Sequence, residues 1–485
     1  MISLNKFFIK LIGRLFPSSE NHLARNNVGE AIPKIPLLSR LNPFGKYILL
    51  TPFEYAIGNA AEHIFYGALT AKIKSKTLIL IVRQPGILRR LLPKRIRGVI
   101  TNDEIFKVKS EGLIVPADHP ISKFIGMLLD IIFIPLRLTD VVCRKIFRKN
   151  FGLFLRIPSL GHNIVFNPNK YKTFDWKKVD CYKWENVLTE GVPISIASEK
   201  EDAAGKIREV MGIPRDAWYV TLHVREKGFY NEPESRGGYR SANILNYLDA
   251  IKHITGQGGW VVRLGDKTMT PLPAMERLID YPHTGYKSNL MDLYLIKNCR
   301  LYVGMDSGIW DVAHMFQVNN VMANVTGWLL AAPPKYGDLQ IIKHYYSKSR
   351  GRLLGVRECL EEPPSINYHY GENVPDHEKS DYIVFENTPR EIKGLVREKL
   401  SQGPCFSYSE LQKLFVEKRQ EQMKRWLCED AFLKNSTMQS YRLSTRYYYK
   451  GTLSQQFLED NWEYGGYLEA LTTKLRKNNL LCSLP

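Results

Sequence analysis

Residues 219–241 read YVTLHVREKGFYNEPESRGGYRS, an apolar stretch that runs into His223-Val224-Arg225. Alternation along a strand puts His223 and Arg225 on one face. A guanidinium at the carboxyl end of a strand in an open α/β sheet is placed to clamp a diphosphate through paired hydrogen bonds. The stretch beyond carries Glu226, Tyr230, Arg236, Tyr239 and Arg240, all polar side chains with reach. The plainer alternative is a hydrogen-bonded core histidine beside an Arg225–Glu226 pair. Residues 261–267, VVRLGDK, repeat the pattern, with Arg263 near the end of an apolar run and Gly265-Asp266 after it. A simple strand-end salt bridge explains them as readily. Residues 301–311, LYVGMDSGIWD, run from an apolar strand through Gly304 into Asp306-Ser307-Gly308, where a helix opens. Asp or Ser there caps the helix, and the N–H groups of the helix start suit a phosphate. A cap without a ligand is the alternative. If the three strand ends share a sheet, they bring two arginines, a histidine and a helix N-terminus together, a set suited to a nucleotide diphosphate.

The elements that must position these residues alternate between strand and helix, the pattern of parallel α/β units. Residues 46–51 form a short apolar strand, Ile57-Gly58-Asn59 a turn, and a helical pattern runs through Ala71 to a strand at 77–83. The continuous apolar run TLILIV is typical of a strand buried on both faces. Glycine in the first turn lets the backbone approach a ligand, but no GxGxxG is present, so no dinucleotide fingerprint is expected. A second block has strands at 218–224, 260–264, 301–304 and 320–323, with helices at 242–255, 290–298 and 308–316 between them. A polar, aromatic connection spans about 160–198, and helical patterns such as 407–428 dominate the end. The expected fold class is α/β, two Rossmann-like doubly wound domains with a helical C-terminal extension. The boundaries are 1–44 for an amphipathic N-terminal segment, 45–198 for an acceptor domain and linker, 199–350 for a nucleotide-sugar domain and 351–485 for the extension. This is the GT-B layout of many glycosyltransferases.

The runs HVREKGF, YRSANILNYLDAI, GGWVVRLGD and MDLYLIKNCRLYVGMDSG, in that order over residues 215–330, resemble bacterial glycosyltransferases of surface-polysaccharide gene clusters. They are more distantly similar to protein O-fucosyltransferases, which share a His-x-Arg strand end and a late Asp-Ser-Gly turn. The resemblance implies a GT-B enzyme with a nucleotide-sugar donor in the C-terminal domain. It implies that Arg225 holds the donor diphosphate and stabilises the leaving group, and that His223 orients it. Ser307 and Gly308 would donate to phosphate or ribose, and Asp306 would bond the nucleoside. Arg240, Arg263 and Asp266 complete the donor-binding set. Glu226 stands where Asp is commoner and Ser241 where Asn is, which leaves the donor open.

No Asp-x-Asp occurs in the chain, so the divalent-ion site of the other common glycosyltransferase type is not expected. No metal or cofactor is expected, and cationic side chains and helix ends would neutralise the leaving diphosphate. An inverting transfer needs a base near the acceptor hydroxyl. Glu54, just before the acceptor-side Gly58-Asn59 turn, is the first candidate; His63, Asp118-His119 and His162 are others. The expected partners are a nucleotide-sugar donor and a glycan or lipid-linked acceptor.

The 485 residues hold 68 Lys and Arg against 49 Asp and Glu, a net charge of +19, with 44% hydrophobic and 24% charged residues. That composition is globular rather than disordered or fibrous. The first 150 residues carry 24 basic and 10 acidic groups, so +14 of the surplus sits there. Such an end-weighted bias points to an anionic surface: membrane lipid, nucleic acid or an acidic polymer. No RNP, zinc-finger or KH pattern supports nucleic acid, which is kept as an alternative together with a catalytically inactive glycan-binding or scaffold protein. Phe7, Phe8, Leu11 and Leu15 with Lys6, Lys10 and Arg14 describe an amphipathic helix suited to an anionic membrane, and a signal peptide is not expected. The longest apolar stretch, residues 124–136, has an Asp and a Pro and is too short to span a bilayer. Seven cysteines without a CxxC pair favour reduced thiols in a cytoplasmic protein. The expected location is the cytoplasm, peripheral on the inner face of the inner membrane.

Overall fold

In this computed structural model the described residues are 46–50, 52, 56–73, 75–82, 102–128, 191–226, 240–326, 333, 335–361, 381–428 and 450–477. The amphipathic segment at 1–20, Glu54, His162 and most of the 160–198 connection lie outside them. The chain divides into two compact units, Met1–Lys183 with Glu190–Ala197, and Trp184–Thr189 with Ser198–Pro485.

The first unit is built on a βαβ turn. Strand β1 (Tyr47–Leu50) leads to helix α1 (Ile57–Ile73) and back to β2 (Thr77–Leu80), with β3 (Ile114–Val115) beside β2. All pairings are parallel, in the order β1-β2-β3. Ala60, Ala61, Ile64, Ala68 and Leu69 of α1 are buried with Leu50, Leu78 and Leu80 of the strands. The small side chains bring helix and sheet close: a Cβ on Gly67 would lie 2.9 Å from Leu50 Cδ2. Further along, residues 120–128 are helical. Among the described residues no helix is long and apolar enough to cross a membrane.

The second unit centres on a seven-stranded parallel sheet. Helix α2 (Ser198–Val210) precedes β4 (Tyr219–Leu222). A 3-10 turn (Ile244–Tyr247) then leads into α3 (Leu248–Gly256), followed by β5 (Trp260–Arg263) and β6 (Leu278–Asp280). The chain then crosses over through α4 (Asn289–Lys297) to β7 (Leu301–Gly304), α5 (Gly308–Met315), β8 (Asn320–Val325) and β9 (Leu339–Ile342). Six of its strands lie in the order β9-β8-β7-β4-β5-β6, and a seventh, from near the end of the chain, adds beyond β9. Chain direction therefore reverses between β4 and β7, the switch point of a doubly wound sheet. Strands β4 and β7 are buried along their whole length, which is why their apolar runs are continuous. The helix expected over 242–255 begins as the 3-10 turn because Asn243 caps it, its side chain accepting from the Leu245 N–H at 3.0 Å.

The C-terminal part is not a separate helical cover. Strands β10 (His344–Ser347), β11 (Arg352–Leu353) and β12 (Tyr382–Phe385) form an antiparallel sheet, so a boundary at 350 falls inside the β10–β11 hairpin. The short α6 (Val356–Glu361) precedes β12, and α7 (Pro389–Ser401) follows it. A Thr388–Glu391 capping box starts α7, and α7 packs on α3, β8 and β9. Helix α8 (Glu410–Cys428) fits the helical pattern at 407–428. Strand β13 (Thr452–Leu453) then pairs in parallel with β9 and becomes the seventh strand of the main sheet. Helices α9 (Gln455–Asn461) and α10 (Gly466–Lys477) follow, and α10 packs on β11.

Candidate functional site

The three motif-bearing strands are neighbours, in the order β5-β4-β7, so their carboxyl ends face one edge of the second unit. At the switch point the His223 N–H donates to the Val303 carbonyl at 2.9 Å, carrying the β4–β7 ladder one residue past β4. His223 Nδ1 lies 3.0 Å from the Ser307 hydroxyl. Ser307 occupies the cap position of α5 in extended conformation yet makes no side-chain cap bond. Its hydroxyl serves His223 instead, and no serine oxygen sits over the first turn of α5. Gly308, the first residue of that turn, is exposed. The dipole and N–H groups of this helix start are arranged to attract an anion.

His223 is 7% exposed. Burial, and then the Arg263 charge, hold its pKa down at about 4, against a weaker opposing pull from Asp266. The imidazole is therefore neutral at neutral pH, with one ring nitrogen a donor and the other an acceptor. It engages Ser307 by hydrogen bonding rather than by charge.

Arg225 is half-buried just past β4. Its backbone is fixed at both ends: the N–H donates to Met305 Sδ at 3.0 Å, and the carbonyl accepts from Ala242 N–H at 3.0 Å. Arg240 reaches back to the same place. Its Nη2 donates to the Asp306 carbonyl at 2.9 Å and lies 3.7 Å from the Asp306 carboxylate. Asp306 is 8% exposed. Two arginines, a neutral histidine, an aspartate and a helix start thus meet where an open parallel sheet binds its ligands.

Arg263 departs from its expected part as a donor-binding cation. Its side chain is fully enclosed. Nη1 donates to Asp280 Oδ1 at 2.8 Å, Nη2 to the Thr270 carbonyl at 3.2 Å, and Nη2 lies 3.6 Å from Glu226 Oε1. Glu226 in turn accepts the Thr270 N–H at 2.6 Å, and Asp280 accepts the Leu272 N–H at 2.9 Å. The guanidinium thus pins the 268–272 segment and neutralises two carboxylates. Glu226 pairs with Arg263 here, rather than with its neighbour Arg225. Asp266 is likewise engaged locally, its Oδ1 accepting from Thr268 N–H at 2.8 Å and from Thr268 Oγ1 at 2.5 Å. The turn needs glycine at 265, where φ is +149° and a Cβ would overlap the Met269 sulfur.

On the acceptor side, Gly58 and Asn59 lie in the first turn of α1 rather than in a loop before it. Gly58 is buried and Asn59 half-buried. His63 is buried in the same helix at 3% exposure. His119 is exposed, its Nδ1 accepting the Ile121 N–H at 3.3 Å. Among the described residues no cluster of three or more His, Cys, Asp or Glu is arranged to hold a metal ion.

Several residues that the sequence did not single out frame the site. β8 and β9 shift register between Met322 and Val325, and Asn324 there has φ +55°. A left-handed Asn in a bulge is a local cost that surrounding bonds must offset. Asn324 and Asn387 exchange backbone N–H to side-chain carbonyl bonds, 2.7 Å each, and Asn324 Nδ2 donates to Tyr247 at 3.0 Å. The one hint in sequence is Lys343, a lone charge in the apolar run LQIIKHYY.

No family model matches the chain, and no curated protein matches it. Among solved structures it is similar to a glycosyl transferase family 9 protein from Veillonella parvula DSM 2008, at 10% identity and a TM-score of 0.31, over 57% of this chain and 80% of that one.

Proposed function

We propose that this chain is a metal-independent GT-B glycosyltransferase that moves a sugar from a nucleotide-sugar donor to a glycan or lipid-linked acceptor in cell-surface polysaccharide synthesis. The observation that carries the reading is the His223–Ser307 hydrogen bond across the β4–β7 switch point, with Arg240 held on the adjacent Asp306 and Arg225 two residues past His223. Arg225 holds the donor diphosphate, and the α5 N-terminus takes phosphate or ribose through Ser307 and Gly308. Asp306 bonds the nucleoside, and neutral His223 orients the donor. In the transfer the acceptor oxygen attacks the anomeric carbon and the carbon–oxygen bond to the diphosphate breaks. The leaving group departs with the electron pair, and the acceptor proton passes to a base. Arginines and a helix dipole fixed before the reaction stabilise that developing charge. Glu54, three residues before α1 in sequence, is our candidate base, and the first unit is our candidate acceptor domain. Arg263 and Asp266 support the donor loop from behind.

We read the anionic partner as a membrane on its cytoplasmic face. On the helical residues 120–128, Ile121, Phe124, Met127 and Leu128 are 51%, 57%, 52% and 43% exposed. In sequence, stretches 83–97 and 137–149, before and after this helix, carry eleven Lys and Arg. An exposed apolar helix face in a strongly basic part of the chain suits an anionic lipid surface.

Purified protein incubated with a panel of nucleotide sugars and a chelator tests the assignment. We expect one nucleotide to raise the melting temperature and its sugar conjugate to be turned over. The assignment fails if no nucleotide shifts the melt and Arg225→Ala changes nothing.

A further inference from the structure

Segment 240–246 returns to the carboxyl edge of the sheet bearing Arg240, and two opposite charges from later in the chain hold it there. Lys343, directly after β9, is 4% exposed, and its Nζ donates to the Ser241 carbonyl at 2.7 Å. Glu386, directly after β12, accepts the Asn243 N–H at 2.9 Å and the Asn246 side-chain amide at 3.0 Å through Oε2. Behind Glu386, Asn387 is tied to Asn324 and donates to the Ile342 carbonyl at 2.7 Å. The anchored Ser241 lies between Arg240, whose guanidinium is on Asp306, and Ala242, whose N–H is on the Arg225 carbonyl.

A buried ammonium is an expensive way to hold a carbonyl, since a neutral amide would do it without desolvating a charge. Among the described residues the Lys343 ammonium makes this one hydrogen bond, and its neighbouring charge is Glu386. What a cation adds over an amide is positive potential behind two arginines, where an anion would sit. We propose that Lys343 is a positioning residue of the nucleotide-diphosphate site, setting Arg240 and Arg225 through the Ser241 carbonyl with its charge. The inference rests on the donor-site reading of that edge.

Burial lowers the Lys343 ammonium to about 8, against the opposing pull of Glu386. The charge is therefore present at neutral pH and lost as pH rises through that value. The test measures dissociation constants of the full chain for nucleoside diphosphates carrying different bases, from neutral pH to well above 8. Wild type, Lys343→Arg and Lys343→Met are compared, with melts in the absence of nucleotide as a check on folding. We expect Lys343→Met to bind about tenfold more weakly at neutral pH, the range of one charged hydrogen bond. Wild type should fall toward the Lys343→Met value as pH passes about 8. Lys343→Arg, whose charge does not titrate there, should keep its affinity. Equal affinity and an equal pH profile in wild type and folded Lys343→Met overturn the proposal. So does a folded Lys343→Arg as weak as Lys343→Met, which would make the side-chain fit decisive rather than the charge. A wild type that binds no nucleotide marks the separate failure of the donor-site reading, and the proposal falls with it.

Discussion

The Ser307 hydroxyl and His223 Nδ1 stand 3.0 Å apart, joining the cap residue of α5 to the strand end beside it. One bond thereby orients the imidazole and leaves the helix start without a side-chain cap. Ser307→Ala removes the partner of a buried ring nitrogen, which costs about 1–3 kcal/mol. We expect a lower melting temperature, and weaker nucleotide binding as His223 loses its orientation. A variant with unchanged nucleotide affinity would separate the bond from ligand binding.

Arg225 and Arg263 should behave differently although both are arginines at strand ends. Arg225→Lys keeps a charge but loses the paired geometry for a diphosphate. Nucleotide affinity should fall about tenfold, roughly 1.4 kcal/mol, with the melting temperature little changed. Arg263→Met strands Glu226 and Asp280 beside an apolar group, and breaking a buried pair in this way costs about 3 kcal/mol or more. Denaturant unfolding and calorimetric titration of both variants check the pair. An Arg263→Met protein of native stability that binds no nucleotide would return Arg263 to the ligand.

His223 makes stability depend on pH. Its pKa is about 4 in the folded chain, against an ordinary 6.5. Between those values the unfolded chain binds a proton that the folded chain excludes, so stability rises with pH through the window. The contribution is complete above the ordinary value and is lost as pH falls toward 4, on the order of 3 kcal/mol in all. His223→Gln lacks this proton, so its unfolding free energy should fall less between pH 7 and 4 than that of wild type. Parallel pH profiles would show that the imidazole is not held neutral.

The apolar face on residues 120–128 gives a membrane prediction. The double variant Ile121→Asp with Phe124→Asp should float poorly with vesicles containing phosphatidylglycerol, whereas wild type floats with them and is released by salt. Salt release is expected because polybasic attraction is screened within about 10 Å at 0.1 M. Equal flotation with neutral phosphatidylcholine would contradict a charge-assisted surface.

The central sheet was legible because β4, β5 and β7 are buried on both faces, and continuous apolar runs such as WYVTL and LYVG leave few other readings. Strand order was not written in those runs; it follows from the crossover after β6. For Arg263 the sequence leaves both readings open, because a strand-end cation looks the same whether it faces a ligand or two buried carboxylates. Its partners Asp280 and Glu226 come from different segments and converge only in the fold. Asn324 and Asn387 are not legible in the sequence for a related reason, and Lys343 shows there only as a lone charge: each matters through contacts with distant segments. Strand β13 has two residues, too few for any periodicity to show.

That short strand has a consequence for biosynthesis. Thr452 N–H donates to the Asp338 carbonyl and Ser454 N–H to the Gln340 carbonyl, at 3.2 and 3.0 Å, so β13 covers the open flank of β9. A ribosome that has delivered β4 through β9 has therefore produced a sheet with one backbone edge still unsatisfied, and an exposed edge recruits other chains. Completion must wait until the Gly451–Ser454 segment that carries β13 emerges. Premature termination upstream of it should leave a sticky nascent product even though every residue of the proposed donor site has been translated.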